Sequence, residues 1–436
     1  MKVSKRRTSK IRLNTNVFSV DRLFGRASTS TVTDKLAQYQ SNLLLCCKLF
    51  QFNTEENTES NQKAKALSEL INFSDLPENS EYVFSDRLLH PLFQLFRHNL
   101  FRSFRFVSST KTNNNASYDA DDEEILLEPA WPHFVLVYQL LLQTVISSSF
   151  TSEMGLRYID NSFIKQFIWL FRSEDSRERY FLKNILHRLY GKFVSLRPML
   201  KTNIQNSLVE FVYENEENAN GISELLEVFE SIIDGYKVPL KAENITFLRE
   251  NLIPLHKSKA LPNFYQQLVK CLLKFLQKDN TLIDIIIQGL LKYWPISNCN
   301  KEGIYLNELE EILEIHNIDN KCAEQVFKRL SKCISSLHFQ VAEKALIIIT
   351  NDKLINILNK TREKLYPILI ENLVNTSERH WNNYIRNIAR NTLNDFRAMD
   401  KLLFEKYYKK TVIDKEEKIR ARSIREDAWK QLEMIY

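Results

Sequence analysis

Glycine and proline are scarce in this chain, with 7 and 10 among 436 residues, against ordinary usage of about 7% and 5%. So few turn residues leave little punctuation for short strands or compact loops, which argues against sandwiches and barrels. Long apolar runs are also missing. The longest, Phe134 to Ile146, is interrupted by Tyr138, Gln139 and Gln143, and no stretch is suited to crossing a bilayer. The basic start, Met1-Lys-Val-Ser-Lys-Arg-Arg-Thr-Ser-Lys10, has no apolar core behind it, so it does not read as a secretory signal. Six cysteines show no Cys-x-x-Cys spacing and are expected as buried, reduced thiols. Together these features predict a cytoplasmic or nuclear protein without membrane insertion.

Catalytic constellations are absent as well. The chain has no Gly-x-Gly-x-x-Gly, no P-loop, no Gly-x-Ser-x-Gly and no His-Glu-x-x-His. Its 8 histidines are scattered, with no pair at helical metal-ligand spacing. The acidic stretch within 108–124 lacks the central glycine of a calcium loop. Neither an enzyme activity, a cofactor nor a metal site is expected. The net charge of +6 is mild, and no base-stacking aromatic series accompanies it, which argues against a nucleic-acid partner.

What the chain does contain is helical periodicity. It starts near Thr33, and polar breaks then recur at Ser173–Asp175, Pro198, Glu214–Gly221, Gly235–Glu243, Lys257–Pro262, Lys278–Thr281, Pro295–Gly303 and Asn317–Asn320. They outline helix pairs of about 40 residues, the HEAT-like range. The expected architecture is an all-α solenoid. A basic, disordered tail covers 1–30, a solenoid 31–408, and a charged C-terminal helix 409–436. A generic HEAT-repeat transport or scaffolding adaptor has the same composition.

The segment Glu174 to Phe193 is the most informative. Phe181, Leu182, Ile185, Leu186, Leu189 and Tyr190 recur at three- and four-residue steps on one helix, with His187, Arg188 and Lys192 among them. Basic residues beside apolar ones suit an acidic or phosphorylated peptide; the same residues also suit packing between helices. Farther on, Glu308, Glu310, Glu311 and Glu314 cluster on the helix Leu306 to Ile315. They read as a solvated face or as a partner contact.

The helix at 174–193 closely resembles a block of the B-prime class of protein phosphatase 2A regulatory subunits. So do Glu128-Pro-Ala-Trp-Pro-His-Phe-Val-Leu-Val-Tyr138, Gly221-Ile-Ser-Glu-Leu-Leu-Glu227, Val238-Pro-Leu-Lys241, Leu291-Lys-Tyr-Trp-Pro295, Leu306-Asn-Glu-Leu-Glu-Glu-Ile-Leu313, Leu337-His-Phe-Gln-Val-Ala-Glu-Lys-Ala345, His380-Trp-Asn382 and Arg425-Glu-Asp-Ala-Trp429. These blocks keep the family's order over residues 33 to 432. The resemblance implies about eight degenerate HEAT-like repeats, a scaffold subunit and a catalytic subunit as partners, and a non-catalytic, substrate-recruiting role. It also implies a concave groove for short linear motifs of the form Leu-x-x-Ile-x-Glu, carried by substrate proteins. Matched residue by residue, His187 and Arg188 would hold the motif glutamate. Tyr190 and Ile232 would wall the pocket for its isoleucine, with Val228 standing where the family usually has isoleucine, and Arg197 and Lys241 would favour phosphoserine or an acidic residue. Glu227 would be a groove carboxylate. Asn244 stands where relatives commonly carry His, and Lys201 where they carry Arg; both changes weaken the basic rim and predict a milder phosphate dependence. The resemblance further places the acidic cluster Glu308, Glu310 and Glu311 toward the catalytic subunit.

Overall fold

The computed structural model describes residues 32–48, 58–76, 79–104, 128, 130–214, 218–316 and 318–433. The basic 1–30 segment and the acidic stretch within 108–124 lie outside them. Among the described residues every regular element is helical. The first are α1 (Val32–Cys46), α2 (Thr58–Asp75), α3 (Ser80–Val83), α4 (Asp86–Leu100) and α5 (Trp131–Ile146). Next come α6 (Ser152–Tyr158), α7 (Asn161–Trp169), α8 (Ser176–Lys192), α9 (Arg197–Tyr213), α10 (Ile222–Asp234) and α11 (Ala242–Phe247). The chain continues through α12 (Tyr265–Lys278), α13 (Ile283–Lys292), α14 (Cys299–Ile315), α15 (Asn320–Ile334), α16 (Phe339–Ile349), α17 (Asp352–Arg379), α18 (Asn383–Met399) and α19 (Lys401–Glu433).

Local chemistry starts these helices. Asp160, Asp175, Asn298, Asp319, Asn351 and Asn382 each cap a helix, their side-chain oxygens accepting first-turn N–H groups. Pro132 and Pro198 occupy first-turn positions, where a missing N–H costs nothing. Pro367 instead sits inside α17 and cannot donate to the Glu363 carbonyl. The Tyr407 hydroxyl of α19 donates to that carbonyl at 3.3 Å. Thr361 departs from helical geometry and kinks α17 nearby.

Packing builds two rows. Helices α2, α5, α8, α10, α12, α14, α16 and α18 contact one another in that order. Helices α7 and α9, the irregular turns after α11, then α13, α15, α17 and α19 form the second row. One continuous apolar core lies between the rows, from Tyr39 to Phe404. This is an all-α solenoid, in which each pair buries its apolar face only against its neighbours. The expected boundary at residues 408 and 409 is corrected: α19 runs through it unbroken. Its first turns dock on α17 and α18, whereas Ile413, Ile419, Ile424 and Trp429 are exposed. The six cysteines are free thiols, and burial raises Cys46 and Cys322 to about 12, so both are protonated and unreactive at neutral pH. No helix among the described residues is long and apolar enough to cross a membrane.

Candidate functional site

Three charged links hold α8 in place. The Glu178 carboxylate, fully buried, accepts two hydrogen bonds of 2.8 Å from the Arg102 guanidinium and one of 2.6 Å from the Tyr138 hydroxyl of α5. On the other side Arg179 pairs with Glu224 at 2.8 Å and Lys183 with Glu227 at 2.5 Å, both on α10. The bidentate Arg102 fork fixes direction as well as distance. Helices α8 and α10 are therefore held side by side, with little freedom to rotate.

His187 and Arg188 project from α8, exposed, beside a cleft of about 240 Å³ lined also by Val145, Ile146, Gly191 and Lys192. The Lys192 ammonium donates to the Val145 carbonyl at 2.7 Å and to that of Ser147, closing the end of α5. Burial lowers its pKa. Arg188 is left with no intramolecular anion among the described residues, so its five N–H donors face solvent.

The neighbouring basic positions are more engaged than sequence alone implied. Arg197 donates to the Tyr190 carbonyl at 2.9 Å and to the Gly191 carbonyl at 3.2 Å, and its guanidinium lies 5.0 Å from the Tyr190 ring centre. It thus completes the last turn of α8. Burial raises the Tyr190 pKa, with Arg197 opposing. Lys201 donates to the Asn244 side-chain oxygen at 2.6 Å; burial lowers its pKa, Glu243 raises it and Lys241 lowers it again. Lys241 stays exposed. Val228 and Ile232 are 2% and 1% exposed and pack in the core between helices. Two residues beyond the end of α10 lies Tyr236, whose hydroxyl is buried without a partner among the described residues and whose pKa burial raises strongly. Tyr236 escaped the sequence reading, because it lies past the helix end, where helical spacing no longer places a side chain.

The acidic cluster on α14 does not form one face. Glu308 is 1% exposed and its two oxygens lie 3.1 Å from His256 Nε2; it is a core residue and is corrected as a catalytic-subunit contact. The cause is α-helical geometry, which turns Glu308 inward toward the segment Ile253–Lys257. Glu310 pairs with Lys344 at 2.5 Å. Glu311 is exposed, and its pKa is raised by burial first and then by Glu308, Glu314 and Glu310. Trp294 is buried and donates to Glu302 at 2.8 Å.

Comparison with known proteins shows the family. The family model described as "Protein phosphatase 2A regulatory B subunit (B56 family)" matches residues 27–435. The B' kappa isoform of the 57 kDa regulatory chain of serine/threonine protein phosphatase 2A from Oryza sativa subsp. japonica is 40% identical over 403 residues, covering 92% of this chain and 78% of the relative. The B' beta isoform of Arabidopsis thaliana is 38% identical, covering 92% and 80%. The alpha isoform of the 56 kDa regulatory chain of Mus musculus is 36% identical, covering 93% and 82%. The chain belongs to the B56 family of protein phosphatase 2A regulatory B subunits and is a regulatory, not a catalytic, chain.

Proposed function

We propose that this chain recruits substrates to a type 2A phosphatase holoenzyme by holding Leu-x-x-Ile-x-Glu segments on the α8–α10 surface. The observation that carries the reading is the exposed His187–Arg188 pair on α8, free of intramolecular anions among the described residues and bordering a cleft against the end of α5. A planar guanidinium beside an imidazole suits a glutamate carboxylate. Tyr190 and Tyr236 pack, partly buried, on the core that holds Ile232, so an isoleucine side chain would enter by displacing them. Capture at this surface raises the local concentration of substrate near the catalytic subunit.

Arg188→Ala should leave the fold unchanged, because the side chain is exposed. It should remove a charge-assisted hydrogen bond of about 1.5–3 kcal/mol, a loss of roughly tenfold or more in affinity. Titration of a labelled Leu-x-x-Ile-x-Glu peptide measures it. Binding equal to the parent, or no binding by the parent, refutes the assignment. Because Lys201 is bound to Asn244 and Arg197 to α8 carbonyls, adding phosphoserine should strengthen binding only modestly, and Asn244→His should increase that gain.

We further propose that the scaffold and catalytic subunits assemble with this chain, and that Glu311 is the acidic contact remaining on α14. Glu311→Lys should lower recovery of the catalytic subunit in affinity capture while the circular dichroism stays unchanged. Undiminished capture would remove Glu311 from the assembly face. Failure of the parent to retain any catalytic subunit would favour the generic adaptor instead.

A further inference from the structure

The irregular turn between α10 and α11 carries a polar group in an apolar place. Tyr236 lies in it, and its backbone N–H donates to the Ile233 carbonyl at 2.9 Å, as that of Gly235 does to Ile232 at 3.2 Å. The turn is thereby tied to the end of α10. The Tyr236 ring packs against the core, 6.1 Å from the Phe275 ring centre, and the Lys201 ammonium lies 5.1 Å from its own centre. Its hydroxyl is buried and has no hydrogen-bond partner among the described residues. Burial raises the pKa of that hydroxyl, and Tyr190 and then Cys271 add to the rise, so it stays protonated.

The polar groups around it are committed elsewhere. Cys271 Sγ donates to the Leu226 carbonyl at 3.4 Å, and the Lys201 ammonium donates to Asn244 at 2.6 Å. A buried donor without an acceptor carries its full desolvation cost, and such a group in a folded protein calls for a reason. This one stands beside Tyr190 and under Lys201, at the edge of the α8–α10 surface. Any movement that returns the hydroxyl to water, or to a peptide carbonyl, releases the stored free energy.

We propose, on the reading of the α8–α10 surface as the motif site, that Tyr236 is a movable wall of the isoleucine pocket. Entry of the motif isoleucine turns the Tyr236 side chain outward and gives its hydroxyl an acceptor. Part of the affinity then comes from relief of the unliganded chain, not from contact with the peptide. A ligand shifts a conformational equilibrium only by its differential free energy for the two states, and the hydroxyl enlarges that difference. Tyr236 is in this sense a positioning residue for substrate capture.

Tyr236→Phe tests it, because it removes the hydroxyl and keeps the ring. The full chain is compared with the parent in urea unfolding and in titration of a labelled Leu-x-x-Ile-x-Glu peptide. The urea midpoint should rise, since the unmet donor is gone. Peptide affinity should fall by about fivefold or more, the factor matching the lower end of the cost of an unmet buried donor. A side chain that only packs would not move the two measurements in opposite directions. An unchanged or lower midpoint would mean that the hydroxyl is already satisfied in the unliganded chain, and would overturn the proposal. So would a higher midpoint with affinity unchanged or tighter, since the hydroxyl would then stay buried in the complex. Failure of the parent itself to bind the peptide would remove the α8–α10 reading and the movable wall together, whereas equal binding by parent and variant would remove the wall alone.

Discussion

Replacing Gly221 with alanine is expected to lower stability by about 3–5 kcal/mol, combining the cost of a left-handed conformation with overpacking. Gly221 has φ of 78°, and an added Cβ would lie 2.3 Å from the Phe171 carbonyl oxygen and 2.5 Å from Phe171 Cβ. The nearest obstacle is backbone, so no rotamer change relieves it. Gly221 is also the N-cap of α10, the helix that carries Glu227, Val228 and Ile232. The damage should therefore begin there. Hydrogen exchange should accelerate first across α10 and its neighbours α8 and α12, and the urea midpoint should fall. An unfolding free energy within about 1 kcal/mol of the parent, a change typical of ordinary substitutions, would show that the turn relaxes freely.

A loss of similar size, about 3–5 kcal/mol, is expected for Glu308→Leu, because it leaves a buried charge without its partner. His256 Nδ1 faces the Ile253 carbonyl at 2.8 Å while Nε2 faces the Glu308 carboxylate at 3.1 Å. Both ring nitrogens meet acceptors, the pattern of an imidazolium. Burial lowers the His256 pKa, but the Glu308 charge and the hydrogen bonds to Glu308 and Ile253 outweigh it, so the net shift is upward. A histidine raised in the folded state contributes stability that is full below its unfolded value of about 6.5 and is lost as pH rises through the folded value. The double change His256→Leu with Glu308→Leu should recover most of the loss, since apolar replacement of a buried pair is often neutral. The stability advantage of the parent over the double variant should shrink as pH rises above about 6.5. An advantage that grows with pH would mean that His256 is held neutral in the folded protein. Thermal melts across pH on the three proteins decide it.

Much of the fold is legible in sequence because helical periodicity is a local property. Glu174 to Phe193 reads as a helix from its apolar spacing, and the structure has α8 at Ser176–Lys192. Asp175 caps it as a short acidic residue before an apolar-periodic run should. The break at Glu214–Gly221 likewise falls where the left-handed Gly221 starts α10. The C-terminal helix was harder to delimit, because α19 is charged on most faces. Its periodicity is too weak to show that the segment from Lys401 continues into it.

The candidate site was legible in residue type but not in state. Sequence placed His187, Arg188, Arg197 and Lys241 near one another through family resemblance, and could not reveal that Arg197 is already committed to the carbonyls at the end of α8. Nor could it separate Glu308 from Glu311. Three residues apart on one helix, they share a composition signal, yet one is buried against His256 and the other faces outward.

Amino-acid sequence by itself determined the helices, their caps, the repeat spacing and the family. Each of these depends on residues a few positions apart, or on ordered blocks that survive divergence. Tertiary structure alone decided which polar groups are free to bind. Arg102 meets Glu178 across 76 positions, His256 meets Glu308 across 52, and Lys201 meets Asn244 across 43. Whether a charge is available to a ligand depends on such distant partners and on desolvation, and both are set by how neighbouring repeats stack.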